Sequence, residues 1–195
     1  MTDVMLDLET LSVRPHAAVI IIGAIKFNRG EKWKVNITED ELYKKNVFYR
    51  RITVDSCNKI KLHVDNNTVK WWEEQEPSVR FEALEHKDRT TINQALQDFK
   101  DWFGNNTRIR IWGNGSGFDC SILGESFTRC NIEKPWKFWM ERDLRTIMDL
   151  AKIYSSDLPK YKQHHALWDC YRQIIAFQIC ESRLGIQFYN ILNIL

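Results

Sequence analysis

The chain reads as an α/β fold built on a mixed sheet, on three observations. Two apolar, β-branched runs open it, a helix-strand-helix-helix order follows, and no repeat or low-complexity segment interrupts either. With 195 residues, 44% of them hydrophobic and 12% aromatic, it is long enough for one well-packed domain and short for two. A single domain over 1–195 is expected.

Taken in order, residues 4–8 and 18–27 (AVIIIGAIKF) predict two strands near the middle of a sheet, joined by a polar turn around Ser12 to Pro15. Asn28-Arg29-Gly30 signals a turn, and the alternation in EKWKVNI (31–37) predicts a third strand, giving a β-meander. VFYRRITV (47–54) predicts a further extended piece, followed by irregular chain up to Thr68. Thr68 is expected to cap a helix over VKWWEEQ, and Pro77 to open a second short one. After Thr91, residues Ile92, Leu96, Phe99, Trp102 and Phe103 recur at helical spacing until Gly104-Asn105-Asn106 stops them. RIRIWG (108–113) predicts a strand, 114–117 a loop, FDCSILGESFTRC a helix and RDLRTIMDLAKI another, with a last helix from about Gln163 to Arg183.

A net charge of +2 neither demands nor excludes a nucleic-acid partner. Five cysteines, an odd number without a C-x-x-C pair, argue against a disulfide framework or a thiolate zinc site and fit a reducing cytoplasm. There is no basic start leading into an apolar run, and no stretch of about 18 apolar residues. A soluble, intracellular protein with no membrane partner is expected.

VMLDLET (4–10) puts two carboxylates inside the first strand. Period-two alternation turns Met5, Asp7 and Glu9 to one side, and Leu6 and Leu8 to the other. Like charges at i and i+2 on a buried strand raise each other's pKa and need a cation. A solvated edge strand would escape that cost, yet the apolar run that follows leaves little room for an edge. Asp119 opens the helix after the glycine-rich loop, where the helix dipole alone favours an acid. The glycines at 113, 115 and 117 match neither a P-loop nor a dinucleotide fingerprint, and are expected to turn the backbone sharply into that helix. HHALWD (164–169) brings imidazoles within one to two helical turns of a carboxylate. Together, four acids from a first strand, a mid-chain helix and a C-terminal helix, with a histidine, are the parts of a two-metal phosphoryl-transfer site. Mg²⁺ or Mn²⁺ prefers carboxylate oxygen and water, and two such ions about 3.5–4 Å apart clamp the attacking and leaving oxygens of an in-line displacement.

In order and spacing, DLET (7–10), NGSGFDCSIL (114–123) and HHALWD (164–169) resemble the three motifs of the DEDDh 3′-to-5′ exonucleases, which have an RNase H-like fold. The chain looks most like the RNase AS-type exoribonucleases and the T-even phage exonuclease A group. Supporting strings are AAVIIIGAIKF, VKWWEEQEPSVR and RDLRT, so the resemblance runs from residue 4 to about 180. It implies an RNase H-like mixed sheet flanked by helices, with two Mg²⁺ or Mn²⁺ held by Asp7, Glu9, Asp119 and Asp169 and with His164 as general base. On a continuous helix His165 would share the face of Asp169 instead. The family's histidine sits on the loop before the helix, which favours His164. The resemblance also implies substrate contacts from Thr10, Leu11, Phe118, Arg142 and Arg145, and a homodimer. The chain departs from many members at Leu11-Ser12, where they carry a glycine two places after the threonine.

The expected activity is release of nucleoside 5′-monophosphates from single-stranded 3′ ends, RNA being favoured. The alternatives are a single-strand exodeoxyribonuclease and a module that grips ends without cutting. A haloacid-dehalogenase-like phosphatase would want D-x-D where this chain has Asp7-Leu8-Glu9. The Trp71-Trp72 pair suits base stacking, a half-core position, or packing near a partner subunit.

Overall fold

A computed structural model describes residues 2–186; the domain expected over 1–195 reaches past them at both ends. β1 (Thr2–Thr10), β2 (Val19–Asn28), β3 (Val47–Arg51), β4 (Ile111–Gly113) and β5 (Glu141–Asp143) form one mixed sheet in the order β3-β2-β1-β4-β5. β1 runs antiparallel to β2 and parallel to β4, so the acid-bearing strand is central, as its apolar neighbours required. Among the described residues the α-helices are α1 (Glu39–Tyr43), α2 (Val54–Lys59), α3 (Asn66–Glu73), α4 (Pro77–Arg80), which runs on into a π-helical turn over Phe81–Glu85, α5 (Ile92–Phe103), α6 (Ser116–Arg129), α7 (Leu144–Leu150) and α8 (Ala166–Arg183).

The period-two pattern of β1 sorts its side chains between two cores. Leu6 and Leu8 pack with Leu96, Phe99 and Phe127 of α5 and α6 on one face. Met5 packs with Leu167, Tyr171 and Ile174 of α8 on the other. Helices therefore flank both faces, and Asp7 and Glu9 point to the α8 side. None of the described helices is long and apolar enough to cross a membrane.

Several expected elements shift. The 31–37 alternation forms no strand, and the β-meander is replaced by pairing of β2 with β3. Side chains of α8 claim that backbone instead: Gln178 accepts from the Trp33 N–H, and the Tyr171 hydroxyl donates to the Lys34 carbonyl. α2 lies within a stretch expected to be irregular. The cap of α3 is Asp65, which accepts from the N–H groups of Asn67 and Thr68, and not Thr68 itself. β5 occupies the start of the helix expected over 142–153. α6 begins inside the expected loop, and α8 begins at Ala166 and not near Gln163.

Gly23 sets how closely α8 approaches the sheet. It pairs with Asp7 across β1 and β2, and a Cβ there would stand 2.5 Å from the Ala166 Cβ. Gly23→Ala is therefore expected to destabilise the fold by about 1–3 kcal/mol, the usual cost of overpacking. The double variant with Ala166→Gly should recover part of that loss in chemical denaturation. Additive losses in the two single variants would show that the Ala166 backbone, whose carbonyl carbon would lie 2.7 Å from the added Cβ, carries the clash in place of its side chain.

Candidate active site

Asp7 and Glu9 arrive from the C-terminal half of β1, and Asp169 from the first turn of α8 packed over it. One carboxylate oxygen from each of these three lies within 4.8 Å of the others. Asp119, in the first turn of α6, accepts from the Leu8 N–H at 3.2 Å, which ties that helix to β1 beside the cluster. Two glycines shape its approach. Gly115 takes φ = 100°, a left-handed conformation, and a Cβ at Gly113 would meet the Asp119 Oδ2 at 2.9 Å. Nothing lies near enough to Gly117 to require a glycine there.

The four acids are expensive as they stand. Burial, then repulsion from Asp169 and Asp119, pushes Glu9 up to about 8. Burial drives Asp119 to about 7, against the N–H of Leu8 and the charge of Arg145. Asp7 is raised well above the usual carboxylate range by burial and by Glu9, Asp119 and Asp169, and a hydrogen bond from Gln173 opposes this. Burial also raises Asp169. Among the described residues, none of the four enters an ion pair, and the buried Glu9 Oε1 has no hydrogen-bond partner. Buried, mutually repelling hard oxygen donors with an unused lone pair fit a divalent cation such as Mg²⁺ or Mn²⁺.

All four acids titrate higher in the fold than in the unfolded chain. Their protonation stabilises the metal-free fold fully below the ordinary carboxylate range of about 4, and that gain is lost as pH rises through about 7 and 8. In EDTA, the melting temperature is expected to fall from pH 6 to pH 8.5, and Mn²⁺ should recover most at the alkaline end. Differential scanning fluorimetry checks this; a flat or rising profile in EDTA contradicts it.

The cluster opens on two cavities. The larger, about 680 Å³, is lined by all four acids together with His164, Arg145, Arg172 and Gln173. The smaller, about 470 Å³, shares Leu8, Glu9 and Phe118 with it and is closed by Thr10, Trp71 and Trp72. His164 sits at φ = 53°, with its ring edge-on to Trp71 at 4.9 Å. His165 is sealed away, 2% exposed and stacked on Tyr49 at 5.2 Å, and burial lowers its pKa toward the neutral form. Because α8 starts only after His165, it is the backbone N–H of this residue, and not its ring, that faces Asp169, at 3.2 Å from Oδ2.

Of the expected substrate contacts, Thr10, Phe118 and Arg145 line these cavities. Leu11 does not: it is 3% exposed and belongs to the core beside Ala18. Arg142 does not either. It stands level with Met5 at the far side of β4, where its guanidinium donates to the carbonyls of Trp139 and Glu141. Trp71 and Trp72 divide their roles, with Trp72 buried and donating to the Thr10 carbonyl and Trp71 41% exposed at the cavity edge. Gln173 was not singled out in the sequence. Its Nε2 donates to Asp7 Oδ1 at 2.7 Å, and the signal was its place four residues after Asp169 on one helix face.

The similarity of the whole chain is to exonucleases, nuclease hydrolases that work from strand ends. Residues 2–181 match the model of the 3′-5′ exoribonuclease Rv2179c-like domain, and the chain belongs to that family. It is also similar to the exodeoxyribonuclease of Enterobacteria phage T4, 25% identical over 205 residues that cover 91% of this chain and 88% of the phage protein. In fold it is similar to E. coli exonuclease I in complex with a dA16 oligonucleotide, with a TM-score of 0.63 at 16% identity over 94% of this chain. A zinc-ion-bound complex of the same enzyme with single-stranded DNA gives a TM-score of 0.60 at 16% identity over 95% of this chain. The chain spans 41% of the length of those exonuclease I chains.

Proposed function

We propose that the chain removes nucleoside 5′-monophosphates one at a time from the 3′ end of single-stranded nucleic acid, RNA being favoured. The observation that carries this is the cluster of Asp7, Glu9 and Asp169, half-buried to buried and in no ion pair among the described residues, with Asp119 beside it, at the junction of two cavities of different character. Asp7, Glu9, Asp119 and Asp169 would hold two Mg²⁺ or Mn²⁺, which when bound supply charge stabilisation to the attacking and leaving oxygens. His164 takes the proton from the attacking water, whose oxygen bonds to phosphorus as the bond to the 3′-oxygen of the preceding residue breaks. Gln173 fixes the rotamer of Asp7.

Beyond the scissile phosphate, a 3′-terminal residue is a nucleoside without further charge. The smaller cavity suits it, with Trp71 and Phe118 offering aromatic faces and no lysine or arginine in the lining. The phosphates on the other side of the cut suit the larger cavity, which has Arg145 and Arg172.

RNA is favoured because the matched family is described as exoribonucleolytic; the phage relative, named an exodeoxyribonuclease, supports DNA as the second reading. Matched, 5′-labelled RNA and DNA oligomers, each with and without Mg²⁺, test both. A magnesium-dependent ladder shortening from the 3′ end is expected, faster on RNA. Intact oligomers under all conditions would overturn the proposal. We also propose a homodimer, implied by the family resemblance, and a cytoplasmic setting, favoured by five free cysteines; light scattering tests the first.

A further inference from the structure

We propose that the strand upstream of the cleaved bond runs along a second, basic groove, where Lys32, Lys152 and Arg183 receive its phosphates and Tyr154 offers a stacking face. This rests on the proposed reading of the acidic centre, because it continues the strand placed there. The aromatic cavity takes the terminal nucleoside and has no cation to meet a phosphate. The rest of the strand therefore leaves through the larger cavity. That cavity shares Ile153 and Tyr154 with a further cavity of about 880 Å³, lined by Lys32, Lys152, Arg183, Gln178 and one acid, Asp157. Tyr154 is 66% exposed at the junction.

The wall between the two cavities is braced from α8. Arg172 donates to the carbonyls of Pro159 and Ser155, and Arg183 to those of Ala151 and Lys152. Lys152 is held at φ = 53°, a left-handed conformation uncommon for lysine. Asp157 is occupied by the Tyr154 N–H. Among the described residues, Lys32, Lys152 and Arg183 enter no ion pair, and Arg183 keeps guanidinium donors beyond those used by the two carbonyls. Asp169 and Arg183 stand about 21 Å apart along α8 at 1.5 Å per residue, a span that only a strand of several nucleotides would use.

The test compares two single-stranded oligomers with one 3′ sequence, a dinucleotide and a 12-mer. Binding is read by fluorescence anisotropy in calcium, without turnover. Lys32→Glu with Lys152→Glu is expected to weaken 12-mer binding about tenfold and to lower the salt slope by roughly 0.7 per lost phosphate contact. Dinucleotide binding should stay within about twofold, and the melting temperature should not move, since both lysines are exposed. If the double variant binds the 12-mer as tightly as the unmodified chain does, or loses both ligands equally, the groove is not the track. Failure of the acidic centre would look different: the unmodified chain would bind the 12-mer in a lysine-dependent way and leave it uncut.

Discussion

Asp7→Asn is expected to lower turnover on a single-stranded oligonucleotide by about 10³-fold or more, while raising the melting temperature of the metal-free protein. The two effects share one cause. Asp7 carries a charge that burial disfavours and that also meets Glu9, Asp119 and Asp169, so neutralising it removes a desolvation cost, a share of the repulsion and one cation ligand together. Asparagine keeps a side-chain oxygen for the Gln173 amide, so the hydrogen bond that orients this position survives. Calorimetry with Mn²⁺ should show weakened binding in a protein that is otherwise intact. Wild-type turnover in this variant would overturn the role of the acids. A lower melting temperature in EDTA would overturn the account of their energetics.

His164→Ala should reduce the chemical step by about 10²–10⁴-fold, the usual contribution of a general base, with little change in cation affinity or melting temperature. His165→Ala should do the reverse. Its imidazole fills space against Tyr49 and is nearly inaccessible, so its loss should lower the melting temperature and leave the folded fraction active. Measuring kcat and melting temperature for both variants separates the roles. If His165→Ala is folded and inactive while His164→Ala keeps its turnover, the two assignments are exchanged.

The placing of Asp7 and Glu9 was readable from sequence because its logic is local: they share a face by strand alternation, and the run after them made the strand central, whereas Asp119 and Asp169 stood out only through the resemblance of their motifs. The choice between the histidines was not local in that way. It turns on where α8 begins, and His165 precedes that helix without a side-chain cap to announce it. The 31–37 alternation misled because Trp33 is buried against α8, while Val35, two places on, is 48% exposed; the pattern reported one anchor and not a sheet face. β5 stayed hidden because its three residues are charged and only half-buried, so no apolar period marks them. Arg142 was misplaced for the same reason, since the register of that strand, and not proximity in sequence to Arg145, decides where it points.

The residues that make up the acidic cluster are drawn from β1, the first described element, and from α8, the last described helix. In chain order Asp169 is the last of the four acids, so the centre is incomplete until α8 has been made and packed. On the proposed function, a partly made chain cannot attack the message that encodes it or the transcripts around it. Destructive capacity appears only after the final described helix has docked.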